Sequence, residues 1–374
     1  MHSRIGYVLA AATFFCAEAS AQSNGFAFLL ETGATELLQG ELGAGTTWSI
    51  GPLPAGRSPL ELAWNDAADR ILALSQASGE LYEIEPWSGI AIPRAALGNG
   101  PWNGLGFAPS QAAYFALRGS TELVQIDATS FVASSLGNFG TAPLHSLAIH
   151  PAGLLYALRD QPPALVRLDP ARRTALVQTA LLAPCHALAI DPVDGSFLTA
   201  IAGSDALHRI DPASGATSAL VALRGLSRAV SSFAVPPCRG VISQHGSGCD
   251  GGAGMPLRIH PRGLPCLTHR MSVLLQNALP GPIYYVRGHD PSHWGPLPLP
   301  FDLSLLGAPG CFVLNPHDIL VGPLAHGIFH TQLVPLRLEF IGALLAWQSY
   351  SFAPGVPNVL GIASSDSVRI VLAR

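Results

Sequence analysis

The chain has 374 residues, a formal net charge of −4 and only 12% charged residues. That balance gives nothing to attract a nucleic-acid backbone. All 20 basic residues are arginine, which excludes lysine Schiff-base and P-loop chemistry. With 39 glycines and 32 prolines the composition favours short strands and many turns, over a length sufficient for two domains.

The N-terminus carries Arg4 before an apolar run from Ile5 to Phe15, then Ala19-Ser20-Ala21. This charged, apolar, small-residue order predicts a signal peptide over 1–21, cleaved after Ala21. The run is too short to span a bilayer. Cys16 lacks the small preceding residue of a lipoprotein site, since Phe14 and Phe15 stand before it. Later apolar stretches are broken by Pro, Gly, Arg or Asp, so no membrane span is expected and the chain is expected to be secreted, extracellular or periplasmic.

A repeat dominates the next 200 or so residues. Leu147-Ala148-Ile149-His150-Pro151 matches Leu188-Ala189-Ile190-Asp191-Pro192. Leu62-Ala63-Trp64-Asn65-Asp66 and Leu105-Gly106-Phe107-Ala108-Pro109 fit the same pattern. A second anchor follows each: Ile84-Glu85-Pro86, Ile126-Asp127-Ala128, Leu168-Asp169-Pro170 and Ile210-Asp211-Pro212. The acidic residues Glu85, Asp127, Asp169 and Asp211 recur every 42 residues. Four strands are expected in each unit, in the last one at 186–190, 196–202, 206–210 and 217–223, with Asp194-Gly195 as a hairpin turn. Four strands per unit of this length is the period of a propeller blade.

The two ends of the array are half-units. Thr35-Glu36-Leu37-Leu38-Gln39 resembles the third strand Thr121-Glu122-Leu123-Val124-Gln125, and Phe233-Ala234-Val235-Pro236-Pro237 matches an inner-strand anchor without outer strands. Together they predict one composite blade, hence an all-β five-bladed propeller over 22–237, closed by strands from both ends. Leu81-Tyr82-Glu83-Ile84-Glu85-Pro86 and Leu207-His208-Arg209-Ile210-Asp211-Pro212 with Ser214-Gly215 resemble secreted bacterial propellers of the YVTN and quinoprotein-like type. That resemblance covers about 24–237 and implies a fold and not an activity.

After Pro237 the tract Gly246-Ser247-Gly248-Cys249-Asp250-Gly251-Gly252 leads into a second region. Strands are expected at 271–277, 282–287, 311–314, 329–338, 344–352 and 368–372, which predicts a C-terminal β-sandwich over 238–374. Gly248-Cys249, Asn277-Ala278-Leu279-Pro280-Gly281, Gly307-Ala308-Pro309-Gly310-Cys311 and Trp347-Gln348 resemble a C-terminal module of large planctomycete-type secreted proteins. No activity follows from that resemblance. Cys238, Cys249, Cys266 and Cys311 admit three pairings. The module's pattern implies Cys249 with Cys311, leaving Cys238 with Cys266, and Cys185 is expected to stay free and buried. A zinc site is the rival, without a C-x-x-C spacing to support it.

Candidate chemistry is sparse. His289 and His293, with Asp290 between, sit in a Pro/Gly-rich loop. His326 and His330 have even spacing and supply two ligands where zinc needs more. His317-Asp318 reads as a turn. The recurring Glu85, Asp127, Asp169 and Asp211 read as turn residues, their carboxylates accepting from backbone N–H groups two residues on. No G-x-S-x-G or H-E-x-x-H occurs. Two residues before each inner-strand anchor stand Leu60, Asn103, His145, His186 and Ser231, which predicts a ring at one channel mouth. Asn103, His145 and His186 fall on consecutive blades and are the predicted ligand-binding group, for a metal ion or a small anion, with no carboxylate beside them. The sequence leaves the cofactor unknown. A non-catalytic binding or scaffolding protein, with a protein, glycan or small molecule as partner, is the first expectation. A propeller-axis enzyme, either a metal-dependent lyase or lactonase or a quinoprotein-like oxidoreductase, is the alternative. Trp48, Trp64, Trp87 and Trp102 occupy no repeated position, against what a quinone site needs.

Overall fold

The computed structural model describes residues 26–373 except 34, 44, 54–59, 99, 141, 253, 268, 290, 326–329 and 334–339. The segment 1–21, with its expected cleavage point, lies outside the described residues. Apart from two short 3-10 turns, Pro109–Gln111 and Leu303–Leu306, every described element is a β-strand. Among the described residues no helix is long and apolar enough to cross a membrane.

Five four-stranded antiparallel sheets occupy the repeat region. The N-terminal strands are β1 (Phe26–Glu31), β2 (Glu36–Glu41) and β3 (Thr47–Pro52). The second sheet holds β4 (Leu60–Asn65), β5 (Arg70–Ser75), β6 (Glu80–Ile84) and β7 (Ala91–Ala96). The third holds β8 (Trp102–Ala108), β9 (Ala113–Arg118), β10 (Glu122–Asp127) and β11 (Ala133–Asn138). The fourth holds β12 (Leu144–Ile149), β13 (Leu155–Asp160), β14 (Pro163–Asp169) and β15 (Thr174–Ala180). The fifth holds β16 (Cys185–Ile190), β17 (Phe197–Ile201), β18 (Ala206–Ile210) and β19 (Thr217–Ala222). The last inner strand, β20 (Val230–Ala234), completes the N-terminal sheet by pairing with β1, Phe28 opposite Ala234. The strands β4, β8, β12, β16 and β20 each pack on the next, and β20 packs on β4.

The sequence dictates this layering. Second strands such as Leu155-Tyr156-Ala157-Leu158 are buried on both faces because sheets cover them from either side, while the outermost β15 is largely exposed. The acidic repeat makes the turn between the third and fourth strands. Asp127 accepts from the N–H groups of Thr129 (3.1 Å) and Ser130 (2.7 Å), Asp169 from Ala171 and Arg172, and Asp211 from Ala213. Hydrogen bonds hold all three carboxyls below the usual range, led by the Ser130 N–H at Asp127, the Arg172 N–H at Asp169 and the Ser214 hydroxyl at Asp211. Glu85, one methylene longer, takes the Ser88 hydroxyl (2.8 Å) and Arg70 (3.2 Å) instead.

Neighbouring inner strands are joined by a recurrent device. The residue before the anchor faces the backbone of the next sheet. Leu188 N–H donates to Ser146 Oγ at 2.7 Å, and Leu62 N–H donates to Ser232 Oγ at 3.0 Å. In the third sheet that position is Gly104, where a Cβ would sit 2.6 Å from the Leu147 nitrogen. The Ser232–Leu62 bond spans the point at which the chain's two half-units meet the second sheet.

The C-terminal region contains β21 (Val241–His245), β22 (Arg258–Gly263), β23 (Arg270–Gln276), β24 (Ile283–Gly288), β25 (His293–Trp294), β26 (Leu297–Pro298), β27 (Phe301–Asp302), β28 (Phe312–Val313), β29 (Ile319–Leu324), β30 (His330–Leu333), β31 (Leu344–Phe352) and β32 (Ile362–Val371). They form a five-stranded sheet in the order β21-β32-β31-β24-β29, a three-stranded sheet β22-β23-β30 and two short ribbons. The strand expected at 311–314 shrinks to Phe312–Val313, directly after the disulfide-bonded Cys311. The sequence reading passed over β21, β22 and β29. Pro261 and Pro323 interrupt two of these, yet both strands lie at sheet edges, where a missing N–H breaks no ladder. Cys238 is bonded to Cys266 and Cys249 to Cys311, and Cys185 is free and buried.

One apolar cluster is common to the first two sheets and the C-terminal region, running from Phe28, Leu37 and Trp64 to Leu257, Met271 and Val273. Polar bonds fix the contact. Gln39, fully buried, donates to Gly263 O (2.9 Å) and accepts from Gly263 N–H (3.2 Å). Ser272 Oγ donates to Trp87 O at 2.6 Å.

Candidate functional site

The inner strands converge on two cavities. One, of about 380 Å³, touches the anchors Leu62, Leu105, Leu147, Leu188 and Phe233 of all five sheets. The other, of about 410 Å³, is lined by Thr32, Glu61, Gln76, Asn103, His145, His186 and Ser231, with small residues between. Asn103, His145 and His186 therefore line one cavity, and Ser231 joins them.

Leu60 does not, and its absence has a geometric cause. In β8, β12, β16 and β20 three residues span the distance that two cover on the neighbouring strand. Leu147 stands opposite Ala157 and Leu144 opposite Arg159, and the same step separates Leu188 from Cys185 and Phe233 from Val230. Each is a β-bulge, and at Ser146 the backbone takes a φ of 49°. The strand β4 has no extra residue: Leu62 faces Ala73 and Leu60 faces Ser75. Leu60 is thus the counterpart of the buried Trp102, Leu144, Cys185 and Val230, and Glu61 takes the cavity position. The expectation that no carboxylate lies beside the group is corrected accordingly.

Glu61 is the electrostatic centre of the site. Gln76 Nε2 donates to its Oε1 at 2.7 Å, and the Ser232 hydroxyl stands 3.4 Å from its Oε2. Burial outweighs these bonds and pushes its carboxyl up to about 7. His145 moves the other way: burial lowers its ring, offset only in part by Asp160, whose Oδ1 lies 2.9 Å from Nε2. The His186 backbone works in the same direction as Asp160, as the smaller contribution. Asn103 Nδ2 donates to Ser120 Oγ at 2.7 Å, which leaves its carbonyl oxygen to accept. The walls thus carry both donors and acceptors, and no arginine stands among them. A buried carboxyl disfavours the small anion expected from the sequence. Among the described residues no three His, Cys, Asp or Glu side chains gather as metal ligands.

The other candidates scatter. His289 N–H donates to Asp318 Oδ2 at 3.1 Å, and the exposed His293 meets Ser292 Oγ at 2.9 Å. Asp290 and His326 lie outside the described residues. His330 stacks between Tyr285 and Trp347, with ring centroids 5.8 and 5.3 Å away. His317, read as a turn residue, instead bonds the Tyr350 hydroxyl at 2.9 Å inside an aromatic cluster. Glu61 and Gln76 were not singled out from sequence; only the residue count between bulge and anchor distinguishes Glu61.

No protein-family model and no curated protein matches the chain. Solved structures similar to it include a protein of unknown function from Bacteroides thetaiotaomicron VPI-5482 (11% identity, 57% of this chain and 62% of that one, TM-score 0.40). A chain of a nidogen/laminin complex gives 8% identity over 57% of this chain and 98% of that one, TM-score 0.41. TolB from Acinetobacter baumannii gives 13% identity over 68% and 62%, TM-score 0.38. The chain spans about three fifths of the Bacteroides and Acinetobacter proteins. At these values the likenesses concern strand arrangement and carry no function.

Proposed function

We propose that the chain is an exported, non-catalytic binding protein, a five-bladed β-propeller followed by a C-terminal β-sandwich, and that it holds a glycan in the cavity formed by Glu61, Gln76, Asn103, His145 and His186. The carrying observation is that side chains from consecutive sheets line one cavity of about 410 Å³ whose walls offer hydrogen-bond donors and acceptors and no arginine, with the Glu61 carboxyl pushed up to about 7 by burial. A polyhydroxylated, uncharged ligand matches such walls, because each hydroxyl both donates and accepts. A bound ion would face a half-ionised carboxyl and a desolvated imidazole. Export is supported by the two disulfides, which persist in oxidising compartments. The propeller reading is supported by the ring of contacts among β4, β8, β12, β16 and β20. Saturation-transfer NMR of the purified protein with chitobiose, cellobiose, maltose and lactose tests the proposal. At least one disaccharide receives saturation; transfer to none of them refutes the glycan reading.

A further inference from the structure

The C-terminal region carries a second concavity, independent of the axial one. It measures about 610 Å³, within the roughly 300–1,000 Å³ usual for small-molecule sites, and is lined by Pro282, Tyr284, Val286, Trp294, Leu303, Val313, His317, Leu320, Tyr350, Phe352 and Ile362. No Asp, Glu or Arg stands in that wall. Its mouth is open: Trp294, Leu320 and Phe352 are all exposed large apolar residues. The aromatic side chains touch one another, Trp294 to His317 with centroids 4.2 Å apart and Tyr284 to Phe352 at 5.4 Å.

The one imidazole in this wall is oriented by a chain of hydrogen bonds whose direction can be read. Gln348 Nε2 donates to Phe312 O (2.7 Å) and Ser365 O (2.9 Å), and Gln348 Oε1 accepts from Leu314 N–H (2.9 Å). The amide oxygen is thereby fixed as the acceptor facing Tyr350. The Tyr350 hydroxyl donates to it at 3.0 Å, so the phenol oxygen must accept from His317 Nε2–H at 2.9 Å. Burial pushes the imidazole down to about 4, so it is neutral at physiological pH and its Nδ1 is an acceptor. An apolar, aromatic, uncharged wall with one polarised acceptor selects by chemistry.

We propose that this cavity binds a neutral, mostly apolar small molecule of about two to three rings that carries a single hydrogen-bond donor for His317. The absence of charge in the wall favours a neutral molecule over an ion, and the concave form a compact ligand over an extended chain. Isothermal titration of the full-length protein with 2-naphthol and with 2-methoxynaphthalene, which lacks the donor, tests this. One 2-naphthol binds per chain, about tenfold more tightly than the ether, a difference in line with one hydrogen bond made in an apolar site. Trp294→Ala, at the cavity mouth, weakens both probes at least fivefold while thermal unfolding is unchanged. His317→Phe brings the two affinities together. Absence of 2-naphthol binding, equal affinity for the two probes, or unaltered binding by Trp294→Ala overturns the proposal.

Discussion

Ser232→Ala probes the seam at which the repeat array meets itself. The Ser232 side chain is 3% exposed, and its Oγ takes the Leu62 N–H at 3.0 Å. Alanine keeps the Cβ and deletes the acceptor, so a backbone N–H of a 4% exposed residue is left unsatisfied. An orphaned buried donor costs about 1–3 kcal/mol. The internal reference is Ser146→Ala, which removes the matching 2.7 Å bond to Leu188 N–H within the continuous array. If the ring is closed, Ser232→Ala costs at least as much as Ser146→Ala, because both donors are equally dry and the Ser232 hydroxyl also loses its 3.4 Å contact with Glu61. Guanidinium unfolding followed by tryptophan fluorescence reads this as two downward shifts of midpoint, that of Ser232→Ala at least as large, with the m-value unchanged. A Ser146→Ala cost above about 1 kcal/mol beside a Ser232→Ala variant indistinguishable from the parent would refute closure through β20 and β4.

Glu61→Gln removes a pH dependence. The carboxyl is held at about 7 in the fold against its ordinary value of 4.5, so the folded state binds this proton more tightly than the unfolded chain. Stability is therefore lost as pH rises from about 4.5 to about 7, by up to roughly 3 kcal/mol. The Gln variant gains on the parent across that window in unfolding midpoints measured at pH 4.5 and 7.5, and a constant difference sinks the assignment. Removing the Cys249–Cys311 bridge, which closes 62 residues, by substituting both with Ser costs roughly 4 kcal/mol in the chain-entropy model. Calorimetry of the double variant checks it, and an unchanged melting temperature contradicts it. The Cys185 thiol, 3% exposed and raised by burial, stays unmodified by a thiol reagent in the native state and reacts in denaturant; rapid native labelling disproves its burial.

What the sequence disclosed depends on the range over which the physics acts. Turn chemistry is local, so the 42-residue spacing of Glu85, Asp127, Asp169 and Asp211 marked the sheets, and the half-units at 35–39 and 233–237 announced the pairing of β1 with β20. Register is not local. Whether Leu60 or Glu61 faces the axis turns on the one extra residue that β8, β12, β16 and β20 carry and β4 lacks, which the alignment of anchors hides. Asn103, His145 and His186 were legible because all three of their strands carry the bulge. His317 was misread for a similar reason: its aromatic neighbours Trp294 and Tyr350 lie 23 and 33 residues away in sequence, and nothing in Pro316-His317-Asp318 points to them. Edge strands holding Pro261 and Pro323 were missed because strand pattern is diluted where one side of the ladder is open.

The central claim is that the axial polar cavity is the binding site. Its most direct test is an isothermal titration of the parent and of the His145→Ala/His186→Ala variant with whichever of the four disaccharides takes up most saturation. The account predicts at least a tenfold loss of affinity in the variant with its unfolding midpoint preserved, since it removes two side chains from the cavity wall and one lost hydrogen bond already approaches that factor. Equal affinity for the two proteins would contradict it.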